Sequence, residues 1–194
     1  MRGEGGAGEV ERAVGSDDAE RDEVSRPVAG GEARTLEVLA PVAGGLRDLV
    51  AFAAARGEEP GEQQAFAMLP GIGIEPLAGG LTVVAPVAGR VTRLTAGRAD
   101  ILSTADRIDA QEASAPGPQA SAVQIAVLLG ADEPDAAFIP LAHVGTEVAA
   151  GQPLMIWNAS PLRVLTSAVV ASSGRVARIS EVIEAGEPAF ILEI

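Results

Sequence analysis

The sequence has no cysteine, no lysine and no tyrosine, and its single histidine is His143. Without cysteine the chain can form no disulfide, thiolate nucleophile or thiolate metal site. Without lysine it can form no Schiff base and has no side-chain amine to carry biotin or lipoate. A Ser-His-Asp relay would have to use His143, and a zinc site would start from that one imidazole. We therefore expect neither a metal nor a cofactor.

The chain also has few aromatic residues. They make up 3% of the sequence, although hydrophobic residues make up 47%, so the core must consist of Val, Ile, Leu and Ala. That mixture, with 23 Gly and 13 Pro, is typical of many short strands joined by tight turns. The composition predicts an all-β domain.

Positive charge is scarce as well. The formal net charge is -13, and all 14 basic residues are arginines. An acidic surface repels phosphate backbones and anionic lipids, so nucleic-acid and membrane-surface binding are disfavoured. No apolar run approaches the ~18 residues of a membrane span, and none near the N-terminus resembles a signal peptide. We expect a cytoplasmic protein with no membrane insertion.

The chain changes character near residue 35. Residues 1–34 are rich in Gly, Glu, Asp and Arg with little apolar content, which predicts a disordered acidic leader. Residues 35–194 form the predicted β domain. Within it, residues 51–64 predict a short helix or an excursion, and residues 106–121 have the composition of a long inserted loop.

Two phrases recur in the β domain. A strand, a Pro-Gly or Ser-Gly turn and a second strand are predicted for residues 36–46, 81–91 and 168–176. A valine followed by Gly-x-Pro occurs as VAAGQP at 148–153 and, with one more residue after the valine, as VIEAGEP at 182–188, each time before an apolar strand. Repeated strand–turn–strand units without helical crossovers predict an antiparallel sandwich or barrel.

The order of the short motifs resembles one family, the glucose-type IIA domain of the bacterial phosphoenolpyruvate-dependent sugar phosphotransferase system. The resemblance spans about residues 36–194. Each motif alone is a weak turn signal, and the evidence lies in their order and spacing. They are APVAG at 40–44, FA at 66–67, GIGIEP at 71–76, VAPVAG at 84–89 and VAAGQP at 148–153.

The resemblance implies a duplicated β-sandwich or barrel-sandwich hybrid with short helical turns at its edge. It also implies an activity: such domains accept a phosphoryl group on a histidine from the carrier protein HPr and pass it to the IIB domain of a sugar permease. That chemistry needs an exposed imidazole nitrogen and a second imidazole that hydrogen-bonds the phosphoryl oxygens.

Both histidine positions are changed in this chain. The family's His-Ala-x-x-Ile strand corresponds to residues 98–102, which places Arg98 at the supporting histidine. The strand with the phosphorylated histidine corresponds to residues 123–132, which places Leu128 at the nucleophile. A leucine has no lone pair to offer phosphorus. We therefore predict no catalytic residue at either position.

The same positions define a candidate partner face of Phe66, Arg98, Leu128, Leu129 and Asp132, where an HPr-like carrier or a permease domain would dock. The alternative is that the strand residues belong to the core, since Leu128 and Leu129 cannot point to the same side of one strand. Arg98 has two interpretations: it binds a phosphate or phosphohistidine, or it pairs with Asp100 or Asp132. We favour the ion pair.

Other candidates are weaker. His143 is predicted on a surface turn away from Arg98 and Leu128. The acidic residues 132–135 lack the ligand spacing of a calcium loop and are interpreted as a solvated turn. Residues 71–73, Gly-Ile-Gly, are not a dinucleotide loop, because Pro76 stands where the third glycine would be.

The sequence therefore favours a non-catalytic regulatory or protein-binding module related to the sugar phosphotransferase system. Whether the chain is an enzyme stays open, since the alternative is an active phosphoryl carrier that uses His143, Ser103 or Thr104 as acceptor. A biotin or lipoate carrier, which shares the Ala-Pro-x-x-Gly turns, is excluded by the lack of lysine.

Overall fold

A computed structural model describes residues 34–77, 81–103, 122–130, 137–158, 167–181 and 183–194. These residues belong to one compact unit, Ala33–Ile194. The predicted leader up to residue 33 and the predicted loop 106–121 lie outside the described residues, as do Thr104 and the acidic residues 132–135.

The described residues form short strands and two short helices. The helices are α1 (Leu49–Ala55) and α2 (Pro60–Ala67), where the sequence predicted a short helix or an excursion. Neither is long and apolar enough to cross a membrane. The strands are β1 (Thr35–Leu39), β2 (Gly44–Arg47), β3 (Gly71–Pro76), β4 (Leu81–Val84), β5 (Gly89–Thr95), β6 (Arg98–Ser103), β7 (Gln124–Leu129), β8 (Ala137–Pro140), β9 (Glu147–Val148), β10 (Pro153–Asn158), β11 (Ser167–Ala171), β12 (Arg175–Ile179) and β13 (Pro188–Glu193).

The strands pair in three sheets. One has the order β1-β13-β12, a second β4-β10-β8, and the largest β2-β3-β11-β7-β6-β5-β9. Every ladder between these strands is antiparallel. The predicted all-β antiparallel sandwich is thereby confirmed.

The repeated phrases take equivalent positions in the fold. The Ala40 amide donates to the Glu187 carbonyl at 2.8 Å, and the Ala85 amide donates to the Gln152 carbonyl at 2.8 Å. The return bonds match too: the Gly186 amide donates to Ala40 and the Gly151 amide donates to Ala85. Both glycines have positive φ, 83° and 77°, which explains why each Gly-x-Pro phrase has glycine there.

The two copies also bind each other directly. The Leu39 amide donates to the Pro86 carbonyl at 2.8 Å, and the Val84 amide donates to the Pro41 carbonyl at 2.9 Å. Each Ala-Pro turn thus satisfies backbone groups of the other copy, as buried backbone requires. The repeat seen in the sequence is therefore a structural duplication.

Apolar side chains pack in two clusters. The larger, called the main core, lies against the inner face of the seven-stranded sheet and includes Val38, Ile101, Ile125, Leu154 and Phe190. The smaller, called the helix-covered cluster, lies on the outer face of the same sheet beneath α1 and α2. Its buried members are Leu49, Phe52, Ala126, Leu128, Ala168 and Val170.

Candidate functional site

The two residues that the motif order aligned with the family's histidines lie side by side. In the ladder between β6 and β7, Arg98 stands directly opposite Leu128. Side chains directly opposite each other in an antiparallel pair point to the same face of the sheet. Arg98 and Leu128 are therefore neighbours on the outer face.

Leu129 is separated from this pair. Its side chain is fully buried in the main core, on the inner face of the sheet. The reason is the strand's period of two, which turns successive side chains to opposite faces. Leu129 therefore cannot contribute to a partner face that contains Leu128, and its place in the predicted face is corrected.

Leu128 is covered by the helices. It is 7% exposed and packs in the helix-covered cluster with Leu49 and Phe52 of α1. Phe66 of α2 packs partly buried against the same cluster, and its ring meets that of Phe52 edge to face with centroids 5.8 Å apart. The predicted partner face contains both Phe66 and Leu128. In the structure both residues pack in one apolar cluster, and Leu128 has little exposed surface there.

Helix α1 is held over this cluster at its first turn. The Asp48 carboxylate accepts the Ala51 amide proton at 2.6 Å and caps the helix, an interaction typical of an N-cap aspartate. The chain that enters α1 passes close over β3, because a Cβ on Gly73 would lie 2.8 Å from the Asp48 carbonyl oxygen. Glycine at position 73 therefore allows the helix to start where it does.

Arg56 fixes the other end of α1. Its Nη1 donates to the carbonyl of Gly130 at 2.6 Å, and Gly130 directly follows β7. The guanidinium carbon also lies 5.6 Å from the centre of the Phe52 ring, within the range of a cation–π contact. Arg56 thus ties the end of the helix to the strand that contains Leu128.

Arg98 forms an ion pair with Asp100, as predicted. Its Nε donates to Asp100 Oδ1 at 2.7 Å, and the Asp100 side chain is 6% exposed. The Arg98 side chain remains 39% exposed. The alternative partner Asp132 lies outside the described residues. Arg98 therefore stabilises a buried carboxylate and still presents part of its guanidinium to solvent.

His143 is not brought to this face. It is exposed in the turn between β8 and β9, where Thr146 Oγ1 donates to the His143 carbonyl at 2.6 Å. The same turn is tied to the middle of β5, because the Gly145 amide donates to the Val91 carbonyl at 2.7 Å. Arg98, in contrast, follows the hairpin turn beyond Thr95. The imidazole thus lies apart from Arg98 and Leu128.

Ser103 is equally remote. It ends β6, five residues after Arg98, which at ~3.3 Å per strand residue corresponds to ~16 Å. Its side chain is buried on the inner face. A phosphoryl donor protein would not reach this hydroxyl without opening the sheet.

A groove of about 440 Å³ lies beside the first turn of α1. Its partly exposed apolar walls come from β2, α1, the segment after α2 and the end of β12. No sequence motif predicted this groove, since it is formed by segments that are distant along the chain. The apolar residues that line it with substantial exposure are Leu46, Val50, Leu69 and Ile179.

The sequence also missed the cover over Leu128. The signal that could have revealed it is the spacing of Leu49 and Phe52, three residues apart after a capping aspartate, which predicts a short helix with one apolar face. Among the described residues no imidazole lies beside Arg98, whose neighbours are Leu128, Thr95 and Asp100. Nor does any group of three or more His, Asp or Glu within that part of the chain form a set that could hold a metal ion.

Comparisons with known proteins give a structural match only. No family model and no curated protein matches the chain. Among solved structures, glucose permease IIA from Mycoplasma capricolum aligns with a TM-score of 0.60 and 18% sequence identity, over 82% of this chain and 97% of that one. Together with the duplicated turns and the antiparallel sheets, this match shows that the chain has the fold of a glucose permease IIA domain.

Proposed function

We propose that this protein is a non-catalytic, IIA-like regulatory or protein-binding module related to the phosphoenolpyruvate-dependent sugar phosphotransferase system. The observation that carries the proposal is the state of Leu128. The order of the sequence motifs aligns it with the family's phosphorylated histidine, it stands directly opposite Arg98, and it is buried in an apolar cluster.

The physical argument has two parts. Transfer to an imidazole requires a nitrogen lone pair that can attack phosphorus in line with the leaving group, and a leucine side chain has none. The transfer also requires that the donor protein reach the acceptor atom, whereas Leu128 is buried in a cluster with Leu49 and Phe52 of α1. Chemistry and access therefore both oppose phosphotransfer at this position.

Three features of the surface favour a binding role. Arg98 is partly exposed, Phe66 is partly buried at the edge of the helix-covered cluster, and an apolar groove opens beside α1. Concave apolar surface with a few polar groups favours recognition of another molecule. We propose an HPr-like carrier or a sugar permease domain in the cytoplasm as the partner.

The test is a phosphotransfer assay beside an authentic IIA domain. The protein is incubated with labelled phosphoenolpyruvate, the first enzyme of the system and HPr, and binding of HPr and of a permease IIB domain is measured in parallel by calorimetry. We expect no acid-labile label, with measurable binding of at least one partner. The authentic domain must become labelled in the same reaction.

Two outcomes would overturn the proposal. Label that disappears in the His143→Ala variant would establish an active carrier with a relocated acceptor, and label that persists in that variant would identify another acceptor. Absence of both label and partner binding would remove the link to the phosphotransferase system and leave the fold alone.

A further inference from the structure

Three arginines share one face of the β5–β6 hairpin. In the ladder between the two strands, Arg90 stands opposite Leu102 and Arg93 stands opposite Asp100, while Arg98 pairs with Thr95. On β6 residues 98, 100 and 102 point outward because 99, 101 and 103 are buried on the inner face. Arg90, Arg93 and Arg98 therefore form one outward surface, called here the arginine face.

A β-bulge creates this arrangement. The register shifts between Val91 and Arg93, so Thr92 is the extra residue. In an unbroken ladder Thr92, not Arg93, would stand opposite Asp100, and Arg93 would turn to the inner face. Bulges commonly re-aim a side chain beside a functional site, and this one adds a second guanidinium beside Arg98.

Among the described residues near this face, arginines outnumber carboxylates. Asp100 is the one carboxylate within β5 and β6, and it is buried and bound by Arg98. Glu147 of β9 stands opposite Arg90 and has a contact of its own. Strand β7 has no charged residue. Arg93 is exposed and forms no ion pair within the described residues, so its charge is left for a ligand.

A positive surface is unexpected on a chain with a net charge of -13. That overall charge repels nucleic acid and other extended polyanions, so a small acidic stretch on a protein fits better than a polyphosphate backbone. Guanidinium groups bind carboxylates through paired N–H donors. Leu102, 37% exposed on the same face, offers the apolar contact that a peptide side chain would use.

We infer that the arginine face is a docking site for an acidic peptide segment of a partner protein. Arg93 forms its centre, with Arg90 and the exposed part of Arg98 at its sides. This inference rests on the proposed protein-binding role and names the chemistry of the partner. It does not depend on whether any phosphoryl group is transferred.

The test is fluorescence anisotropy with a dye-labelled Glu-rich peptide and, as reference, a Gln-rich peptide of the same length. We expect saturable binding of the Glu-rich peptide alone, weakened by added salt because the contacts are exposed ion pairs. The double variant Arg90→Gln/Arg93→Gln should bind roughly fivefold more weakly or worse, since two exposed pairs are lost.

Arg178→Gln is the matched control, because Arg178 is an exposed strand arginine on β12, in another sheet. Its binding should equal that of the wild type. Arg93→Lys should keep part of the affinity, and Trp157 fluorescence verifies that each variant is folded. No binding by the wild type, unchanged binding by the double variant, or an equal loss in Arg178→Gln would each overturn the inference.

Different results would contradict the non-catalytic role and the peptide-docking site. Acid-labile label on the chain would defeat the non-catalytic role and leave peptide binding intact. Failure of the peptide to bind would defeat the docking site and leave the phosphotransfer result unaffected.

Discussion

Two buried serines show how single residues differ in what they contribute. Ser167 lies at the start of β11, fully buried, and its hydroxyl has no hydrogen-bond partner among the residues that the structure describes. Ser103 at the end of β6 is also buried, but it has an interaction partner. A buried hydroxyl without a partner costs free energy because it has lost its water contacts.

We therefore predict that Ser167→Ala raises the free energy of unfolding by about 1 kcal/mol. Denaturant titration followed by Trp157 fluorescence measures it, since Trp157 is the one tryptophan and is buried in the main core. Ser103→Ala is the control and should lower stability by a similar amount. A clear loss in Ser167→Ala would mean that the hydroxyl is satisfied in solution.

The Arg98–Asp100 pair makes a second prediction. Arg98→Ala should lower the free energy of unfolding by about 1 kcal/mol, because it leaves the buried Asp100 carboxylate without its donor while the exposed part of the arginine adds little. Arg98→Ala/Asp100→Ala should recover part of this loss. If the two single changes simply add, the residues are not coupled and the ion pair does not contribute.

At the scale of elements, helix α1 matters most. It is too short to be stable alone, so its stability must come from packing, its cap and the Arg56 contacts. Phe52 is its largest buried side chain, whereas Val50 on the same helix is exposed. Packing against the sheet stabilises the helix. The same packing buries Leu128 on the outer face of the sheet.

Phe52→Ala should release α1 from the sheet. We expect a loss of about 3 kcal/mol in the free energy of opening of this element, the cost of deleting a buried aromatic ring. Hydrogen exchange at the amides of residues 53–57, whose donors bond within the helix, measures this local opening. Val50→Ala is the matched control and should leave exchange almost unchanged. Equal protection in both variants would contradict the packing role of Phe52.

At the scale of the whole molecule, the fold is that of a glucose permease IIA domain. The two Ala-Pro turns bind each other and their partner Gly-x-Pro turns. The ladder between β6 and β7 places Arg98 opposite Leu128, and the side chains of the helix-covered cluster bury Leu128.

Restoring both histidines tests whether the cover matters beyond the chemistry. In Arg98→His/Leu128→His we expect no labelling by HPr, since α1 and α2 still shield position 128, and a stability lower by about 2 kcal/mol because an imidazole enters an apolar cluster. Adding Phe52→Ala should open the face, and labelling should then increase. Full labelling of the double variant alone would mean that the helices do not block access.

Much of this architecture followed from local sequence. The repeated Ala-Pro and Gly-x-Pro phrases predicted strands and turns for two reasons. Proline fixes its own φ, and glycine adopts a positive φ that other residues rarely accept. The lack of lysine and cysteine is read directly from the sequence. The positions of Arg98 and Leu128 in their motifs predict that the phosphoryl relay is missing, and this stays a prediction. These are properties of residues and their neighbours, which a sequence contains directly.

Tertiary structure decided which of those residues share a surface. The period of two along β7 sends Leu129 to the main core and Leu128 to the outer face, but only the ladder with β6 places Leu128 beside Arg98. The bulge in β5 turns Arg93 outward, and the packing of Phe52 closes the site over Leu128. The amino-acid sequence by itself determined which side chains are available, with one histidine and neither lysine nor cysteine. Register, bulges and helix docking depend on contacts between distant segments, so only the tertiary structure decided that Arg98 and Leu128 are neighbours and that Leu128 is buried.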